Sequence, residues 1–165
     1  MSSAVRICLA DYANPRHAAA LVQLLDEYAR DPMGGAQPLS DFAKTHVVAE
    51  LCAIPNAFSL LAFAGETDDH PVGLANCLQG FSTFACKPLI NIHDLAVTLA
   101  SRGQGVGESL LAAVEQVARE RGACKVTLEV LSGNASALRL YARSGFAGYV
   151  LEPAAGQATL MQKWL

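Results

Sequence analysis

Three glycines stand close together between an apolar stretch and a long amphipathic stretch of the chain. They belong to one run, Arg102-Gly103-Gln104-Gly105-Val106-Gly107. The first amides of a helix have no partner inside the helix and lie at the positive end of its dipole, so they can bind a phosphate or pyrophosphate. Glycine lets the backbone approach such an anion because no Cβ intervenes. The run therefore predicts a phosphate-binding loop, to which Arg102 adds a positive charge.

Three known phosphate-loop patterns can be compared with this run. The Walker pattern fails because the chain has no Gly-Lys-Ser/Thr. The dinucleotide pattern G-x-G-x-x-G fails because Glu108 and Leu110 occupy the two positions open to its third glycine. The pattern [RQ]-x-x-G-x-[GA] is matched at every position. A glycine-rich turn that binds no ligand is the alternative interpretation.

A second pattern, N-x-x-A-x-x-x-Y-x-x-x-G-F, follows further along the chain. Its fixed positions are all occupied, by Asn134, Ala137, Tyr141, Gly145 and Phe146. Asn134 is suited to cap a helix through its side-chain oxygen. Tyr141 lies about two helical turns later, so the two side chains are expected on similar faces.

With both patterns present in this order, the segment from about Leu89 to Tyr149 resembles the GNAT acyltransferase superfamily. The preceding half of the chain matches that superfamily in element order only. The resemblance implies an acetyl-CoA-dependent N-acetyltransferase whose glycine loop holds the pyrophosphate of coenzyme A. The residues that it assigns to cofactor binding are Leu95, Ala96, Val97, Arg102, Gly103, Gln104, Gly105, Val106, Gly107, Asn134 and Tyr141.

By the same resemblance, a free amine attacks the thioester carbonyl directly. A backbone N–H near Val97 is expected to stabilise the developing oxyanion. Tyr141 is expected to act as general acid and protonate the departing thiolate; the ordinary pKa is near 8.5 for a thiol and near 10 for a tyrosine. The alternative for Tyr141 is a half-buried packing residue.

The acceptor amine must also lose a proton, and the base is less clearly marked. Many members of the superfamily place a glutamate on the fourth strand, where this chain has His93 and Asp94. Period-two alternation puts these side chains on opposite faces, so one of them is expected to face the acceptor. His93 suits the role of base, with an ordinary pKa near 6.5, whereas Asp94 could instead bind a cationic amine. Water could serve as base instead.

The elements that must position these residues follow from the apolar periodicity. Strands are predicted at 5–10, 57–64, 72–83, 89–97, 125–131, 146–151 and 158–164. Helices are predicted at about 15–30, 41–53 and 134–144, and a further long helix is predicted to open among the glycines of 101–107 and run to about 121. Asn14 and Ser40 are expected to cap the first two helices, and the third strand is expected to bend near Gly80. This order predicts one domain over 1–165 with an α/β (α+β) fold: a mixed sheet of about six or seven strands with helices on both faces.

Composition limits the partners. Hydrophobic residues make up 52% of the 165-residue chain, enough for a substantial core. A net charge of −3 without a Lys/Arg cluster argues against nucleic acid as partner. No apolar run approaches the roughly 18 residues of a membrane span, and the start of the chain lacks the pattern of a signal peptide. We therefore expect a cytoplasmic protein with no membrane partner.

Cysteine and histidine spacing gives no sign of a disulfide framework or a metal site. The five cysteines are scattered and odd in number, which indicates reduced, buried and inert thiols. The four histidines have no metal-ligand spacing. We expect no bound metal.

The function that these patterns favour is acetyl transfer to a primary amine of a small molecule. Ile92 to Val97 is similar to the fourth strand of diamine acetyltransferases, which favours a small amine, and Asp31 to Gly35 is expected to form a mobile lid over it. A homodimer is common in the superfamily. Two alternatives remain: a non-catalytic acyl-CoA-binding regulator of the same fold, and a protein-interaction domain in which the glycine loop is only a turn.

Overall fold

The computed structural model describes residues 5–165, which form two compact parts divided after Leu128. Each part is described by itself. The first contains five strands and three helices in the order β1 (Val5–Leu9), α1 (Pro15–Arg30), α2 (Asp41–Ala53), β2 (Phe58–Ala64), β3 (Pro71–Ser82), β4 (Lys87–Val97), α3 (Val106–Glu120) and β5 (Val126–Leu128). A single 3-10 turn, Leu99–Ser101, separates β4 from α3.

The strands form one mixed sheet in the order β1-β2-β3-β4-β5. The first three pairings are antiparallel, and β4 pairs with β5 in parallel. The pairing of β3 with β4 shifts by one residue, because Asn76 is opposite Asp94 whereas Cys77 is opposite Ile92. His93 is thus the extra residue of a β-bulge in β4. The bend predicted near Gly80 does not interrupt the pairing, since Gly80 is opposite Leu89.

Helices cover both faces of the sheet, as predicted. On one face, α1 packs on the sheet through a cluster whose buried members are Ala20, Leu21, Leu24, Leu61, Phe63 and Leu74, with α2 residues against it. On the other face, α3 approaches β3 at Gly73. A Cβ on Gly73 would stand 2.9 Å from Leu110 Cδ1 and 3.1 Å from Val106 Cγ1. Gly73 therefore sets how closely the first turns of α3 lie on the sheet.

The helix starts follow the predicted caps. The Asn14 side chain accepts a hydrogen bond from Arg16 N (2.9 Å), and Pro15 begins α1. The Ser40 hydroxyl accepts from Ala43 N (3.1 Å) at the start of α2. These bonds satisfy amides that the first turn of a helix leaves without intrahelical partners.

The second part, from Glu129 onward, contains the helix α4 (Ala135–Arg143) and a 3-10 turn at Pro153–Ala155. Asn134 caps α4 by accepting from Ala137 N (3.1 Å), as predicted. The predicted strands at 146–151 and 158–164 are wrong: within residues 5–165 the sheet has five strands, not six or seven. Period-two alternation marks a chain that can pair, but a strand also requires a neighbour, and here Leu151, Leu160 and Trp164 are exposed.

None of the helices among residues 5–165 combines the length and apolar character that a membrane crossing requires.

Candidate functional site

The glycine loop lies at the start of α3, where its sequence predicted a helix to begin. Gly103 and Gly105 have φ of +75° and +83°, in the left-handed region that glycine adopts without strain. Neither glycine has an atom within 4 Å of the position that a Cβ would occupy. Gly105 is the N-cap of α3, and the first turn closes with Ser109 N donating to Gly105 O (3.0 Å). The amides of Val106 and Gly107 thus belong to the unpaired opening of a long helix, beside open space.

Arg102, predicted to add a positive charge to the phosphate-binding loop, donates hydrogen bonds to the end of α1 and to the end of β4. Its guanidinium Nη2 donates to Asp31 Oδ2 at 2.8 Å, and its Nε donates to Val97 O at 3.2 Å. Asp31 is the C-cap of α1, so the pair joins the end of α1 to the glycine loop. The hydrogen bond from Arg102 holds the pKa of Asp31 below its ordinary value, and a bond from Met33 N adds to this.

A cavity of about 220 Å³ lies between the end of α1 and the end of β4. Its polar and charged lining residues are Glu27, Tyr28, Arg30, Asp31, Thr98 and Arg102. Burial raises the pKa of the Tyr28 hydroxyl, and the carboxylates of Asp94 and Asp31 raise it further. The charged residues of the cavity lining are thus two carboxylates, Glu27 and Asp31, and two arginines, Arg30 and Arg102.

The bulge in β4 gives the two candidate residues His93 and Asp94 different surroundings. His93 is exposed and lies opposite no residue of β3. Asp94 is half-buried and opposite Asn76. Leu74 belongs to the core cluster beneath α1, so alternation puts Asn76 and Asp94 on that same face of the sheet. Ala96, two residues beyond Asp94, lines the cavity.

A chain of hydrogen bonds reaches Asp94 from the interior. Asn76 Nδ2 donates to Asp94 Oδ2 at 2.9 Å, and Ser59 Oγ donates to Asn76 Oδ1 at 2.6 Å. Tyr12 OH and Ser59 Oγ are 2.9 Å apart. Sequence patterns predicted no role for Tyr12, Ser59 or Asn76. The available signal was the presence of Ser59 and Asn76 inside otherwise apolar strands.

The β4 segment predicted to contact the cofactor lies beyond the point where β4 pairs with β5. The parallel pairing of β5 with β4 covers Ile90, Asn91 and Ile92 only. From Asp94 to Val97, the residue pairs of β4 are with β3. The strand β4 therefore pairs with β3 but not with β5 at Leu95, Ala96 and Val97.

Tyr141 and Asn134, the candidates of the second part, lie on α4. Asn134 is engaged as the N-cap, and Tyr141 is half-buried, with its ring centroid 5.9 Å from that of Phe146. The spacing of the pattern is thus realised as one helix, with the cap and the tyrosine about two turns apart.

The cysteines differ from the prediction of buried thiols. Cys77 is buried, and burial raises its pKa to about 12. Cys8 is half-buried, whereas Cys52, Cys86 and Cys124 are exposed. The prediction was wrong for these three because they lie on α2, in the β3–β4 connection and before β5, where the elements face solvent. Among residues 5–165, no three His, Cys, Asp or Glu side chains cluster as metal ligands would.

Comparison with known proteins agrees with this arrangement. The profile of the Acetyltransferase (GNAT) family matches residues 21–146. This sheet, with its glycine loop at a helix start, thus defines an acyltransferase-type fold, and the chain belongs to the GNAT acetyltransferase family.

Individual relatives give the same family. A streptothricin acetyltransferase from Streptomyces lavendulae is 38% identical over 91 residues, which are 53% of this chain and 48% of that protein. The chain thus spans about half the length of that relative. A solved structure of a probable acetyltransferase has a TM-score of 0.78 at 23% identity, covering 97% of this chain and 99% of the other. The aminoglycoside N-acetyltransferase AAC(6')-Iy, solved with CoA, has a TM-score of 0.74 at 17% identity, covering 99% and 97%.

Proposed function

We propose that this protein transfers an acetyl group from acetyl-CoA to a primary amine of a small molecule. The observation that carries the proposal is the glycine loop. Gly103 and Gly105 adopt positive φ with open space beside them, directly before the unpaired amides of α3. Such an opening suits a pyrophosphate. Membership of the GNAT family supports the class of reaction.

The residues present fit coenzyme A by their chemistry. Acetyl-CoA would supply the acetyl group as an activated thioester. The amides of Val106 and Gly107 would donate to the pyrophosphate beside Gln104, and Arg102, which is paired with Asp31 in this structure, would add its charge on exchanging that carboxylate for the phosphate. The backbone edge at Leu95, Ala96 and Val97 would hold the rest of the cofactor, with the Val97 amide assigned to the oxyanion. Asn134 and Tyr141 complete the proposed set.

A small cationic amine is the proposed acceptor. The cavity beside β4 is bordered by Glu27, and the half-buried Asp94 lies on the same face of β4 as the cavity residue Ala96. A carboxylate there would bind an ammonium group. By their names, the relatives described above act on streptothricin and on an aminoglycoside, which supports a small-molecule acceptor.

Two proton transfers complete the proposed mechanism. His93 would take the proton that the amine must lose before it attacks. Tyr141 would give its hydroxyl proton to the departing thiolate, whose ordinary pKa is near 8.5. The role of Tyr141 rests on its position in the second family pattern, and the role of His93 rests on its residue type and its place on β4, where many family members have a glutamate.

An acetyl-transfer assay over a panel of amines tests this function. Release of free CoA thiol from acetyl-CoA should accelerate with at least one small primary amine. Tyr141→Phe should lower kcat by about 100-fold, because the thiolate would lose its acid, with CoA affinity changed less than about twofold. Tyr149→Phe, in the same part of the chain, is the matched control and should keep the wild-type kcat.

The outcomes separate the alternatives. Calorimetric binding of CoA without transfer to any amine would instead favour a non-catalytic regulator, and absence of CoA binding would favour an interaction domain. An unchanged kcat in Tyr141→Phe would remove the acid role. An unchanged rate in His93→Ala across the pH profile would remove the base role.

A further inference from the structure

We propose that Asn76 is a positioning residue that acts through Asp94. A buried hydrogen-bond chain from Tyr12 through Ser59 and Asn76 orients the Asp94 carboxylate for the ammonium group of the acceptor. This inference rests on the proposed function, because it assigns part of the acceptor site. It adds three residues that the sequence patterns did not indicate.

The donor and acceptor in each of the three hydrogen bonds follow from the number of protons that each side chain carries. A carboxylate only accepts hydrogen bonds, so the Asn76 amide must present Nδ2 to Asp94 Oδ2, at 2.9 Å. Its Oδ1 then accepts the single hydroxyl proton of Ser59, at 2.6 Å. Ser59 has no second proton, so Tyr12 must donate to Ser59 Oγ, at 2.9 Å. All three hydrogen bonds therefore point toward the carboxylate.

Burial of Ser59 and Asn76 makes the hydrogen-bond chain rigid. Ser59 is 1% exposed and Asn76 is 3% exposed, so water does not replace either partner. A buried polar group is destabilising without its hydrogen bond, so the hydrogen bonds keep both side chains in place. Hydrogen bonds in a low-dielectric interior also polarise one another. Asp94 is thus held at one oxygen, Oδ2, which leaves Oδ1 for the proposed ammonium contact.

The series of hydrogen bonds from Tyr12 to Asp94 is not suited to proton transfer. Its middle link is an amide, which does not give up a proton near neutral pH, so Asp94 cannot pass a proton to Tyr12 through Asn76. What the chain can transmit is orientation and partial positive charge. That is why we assign Asn76 a positioning role and not a catalytic one.

A double-mutant cycle on acceptor kinetics tests the assignment. Asn76→Leu removes the amide at similar volume, and Asp94→Ala removes the carboxylate. Asn76→Leu should raise the acceptor KM about tenfold, the size expected for loss of a hydrogen bond to a charged group, with kcat and the acetyl-CoA KM changed less than about twofold. In the Asp94→Ala background, Asn76→Leu should cause no further change.

Asn91→Leu is the matched control for the cycle. It breaks a similar bond on β4, from Asn91 Nδ2 to Thr127 Oγ1 at 3.1 Å, away from Asp94. Its acceptor KM should stay within about twofold of wild type. An Asn76→Leu effect that persists undiminished without Asp94 would overturn the inference while leaving the proposed function standing. If Asn76→Leu does not fold, Ser59→Ala replaces it and should show the same dependence on Asp94.

The proposed function fails separately, if wild-type protein acetylates no amine. The same variants then test the chain by urea unfolding, since the Asn76–Asp94 bond should appear as a coupling between the two substitutions. If the effects of the Asn76 and Asp94 substitutions on the free energy of unfolding were strictly additive, the proposed hydrogen bond between these residues would be refuted.

Discussion

The carboxylates of Asp94 and Asp31 lie near one cavity but differ in whether a positive charge offsets their negative charge. Asp31 forms an ion pair with Arg102, at 2.8 Å, which offsets its negative charge. Asp94 receives its hydrogen bond from the neutral amide of Asn76, which leaves the carboxylate charge in place. For an approaching ammonium group, Asp94 is therefore the stronger attractor of the two. This difference supports Asp94 as the acceptor residue in the proposed function.

Asp31→Asn should make the stability of the protein less dependent on pH under acidic conditions. The pKa of Asp31 is lowered in the folded state, chiefly by the Arg102 hydrogen bond. A lowered folded-state pKa stabilises the fold above the ordinary pKa of about 3.9, and this stabilisation is lost as pH falls below that value. Urea unfolding should show wild type more stable than Asp31→Asn by about 1 kcal/mol or less at pH 6, because the pair is partly exposed, with the gap closing toward pH 3.

Asp69→Asn is the control for the loss of one negative charge. Asp69 pairs with Arg16 at 3.4 Å, with side chains 56% and 64% exposed. Its stability relative to wild type should differ by a few tenths of a kcal/mol at most. A gap between wild type and Asp31→Asn that stayed constant from pH 6 to pH 3 would contradict the Asp31–Arg102 pair.

At the scale of elements, β4 carries most of the site. Period-two alternation in the sequence predicted opposite faces for His93 and Asp94, and in the structure a bulge at His93 interrupts that alternation. It could not reveal the bulge, because a bulge depends on the register with β3, which is set by residues distant in sequence. The bulge places Asp94 opposite Asn76. Without that pairing, the hydrogen-bond chain would not reach the cavity side of the strand.

Gly105→Asp should abolish CoA binding, because it adds bulk and negative charge where the pyrophosphate is proposed to lie. Calorimetry should show affinity reduced at least about tenfold, the cost of a like charge beside an anion site. Gly65→Asp is the matched control: Gly65 has φ of +86°, near the +83° of Gly105, and likewise has open space at its Cβ position.

Both substitutions force an aspartate into a left-handed backbone conformation, at a cost of about 1–2 kcal/mol each. They should therefore lower the midpoint of urea unfolding by similar amounts, while only Gly105→Asp affects CoA. Equal CoA affinity in the two variants would show that the loop does not bind the pyrophosphate.

Helices were easier to predict from this sequence than strands. The caps Asn14, Ser40 and Asn134 are local signals, and all three form the expected bonds. Strand limits depend on partners: β5 stops at Leu128, three residues before its predicted end, where its pairing with β4 stops. The two predicted closing strands failed for the same reason.

Considered as a whole, the first part of the chain is a sheet covered by helices on each face, with Cys77 inside it. Cys77 is 1% exposed, and burial raises its pKa to about 12. Since the thiolate is the reactive form, both access and ionisation protect this cysteine. The rate at which the Cys77 thiol reacts with an alkylating reagent therefore reports how often the sheet unfolds around it.

Brief alkylation of the native protein should label Cys52, Cys86 and Cys124 quickly and Cys77 hardly at all. Peptide mass spectrometry after a pulse of iodoacetamide would give the labelled fraction at each site. In rising urea, labelling of Cys77 should follow the global unfolding transition monitored by circular dichroism. Fast native labelling of Cys77 would contradict its burial, and slow labelling of Cys52 would contradict the exposed face of α2.

The long-range part of the site lay beyond sequence reasoning. Tyr12 and Ser59 are 47 positions apart, Ser59 and Asn76 are 17 apart, and Asn76 and Asp94 are 18 apart. No local spacing rule connects residues at such separations. The glycine loop, by contrast, was predictable because its chemistry lies within one turn. The homodimer and the cytoplasmic location stay predictions.

The hydrogen-bond chain has a consequence for engineering acceptor preference. A saturation library confined to side chains that line the cavity would omit Ser59 and Asn76, which reach no ligand. Yet a change at either would alter how the Asp94 carboxylate is aimed. Selections for new amine acceptors should therefore sample these two interior positions together with the cavity wall.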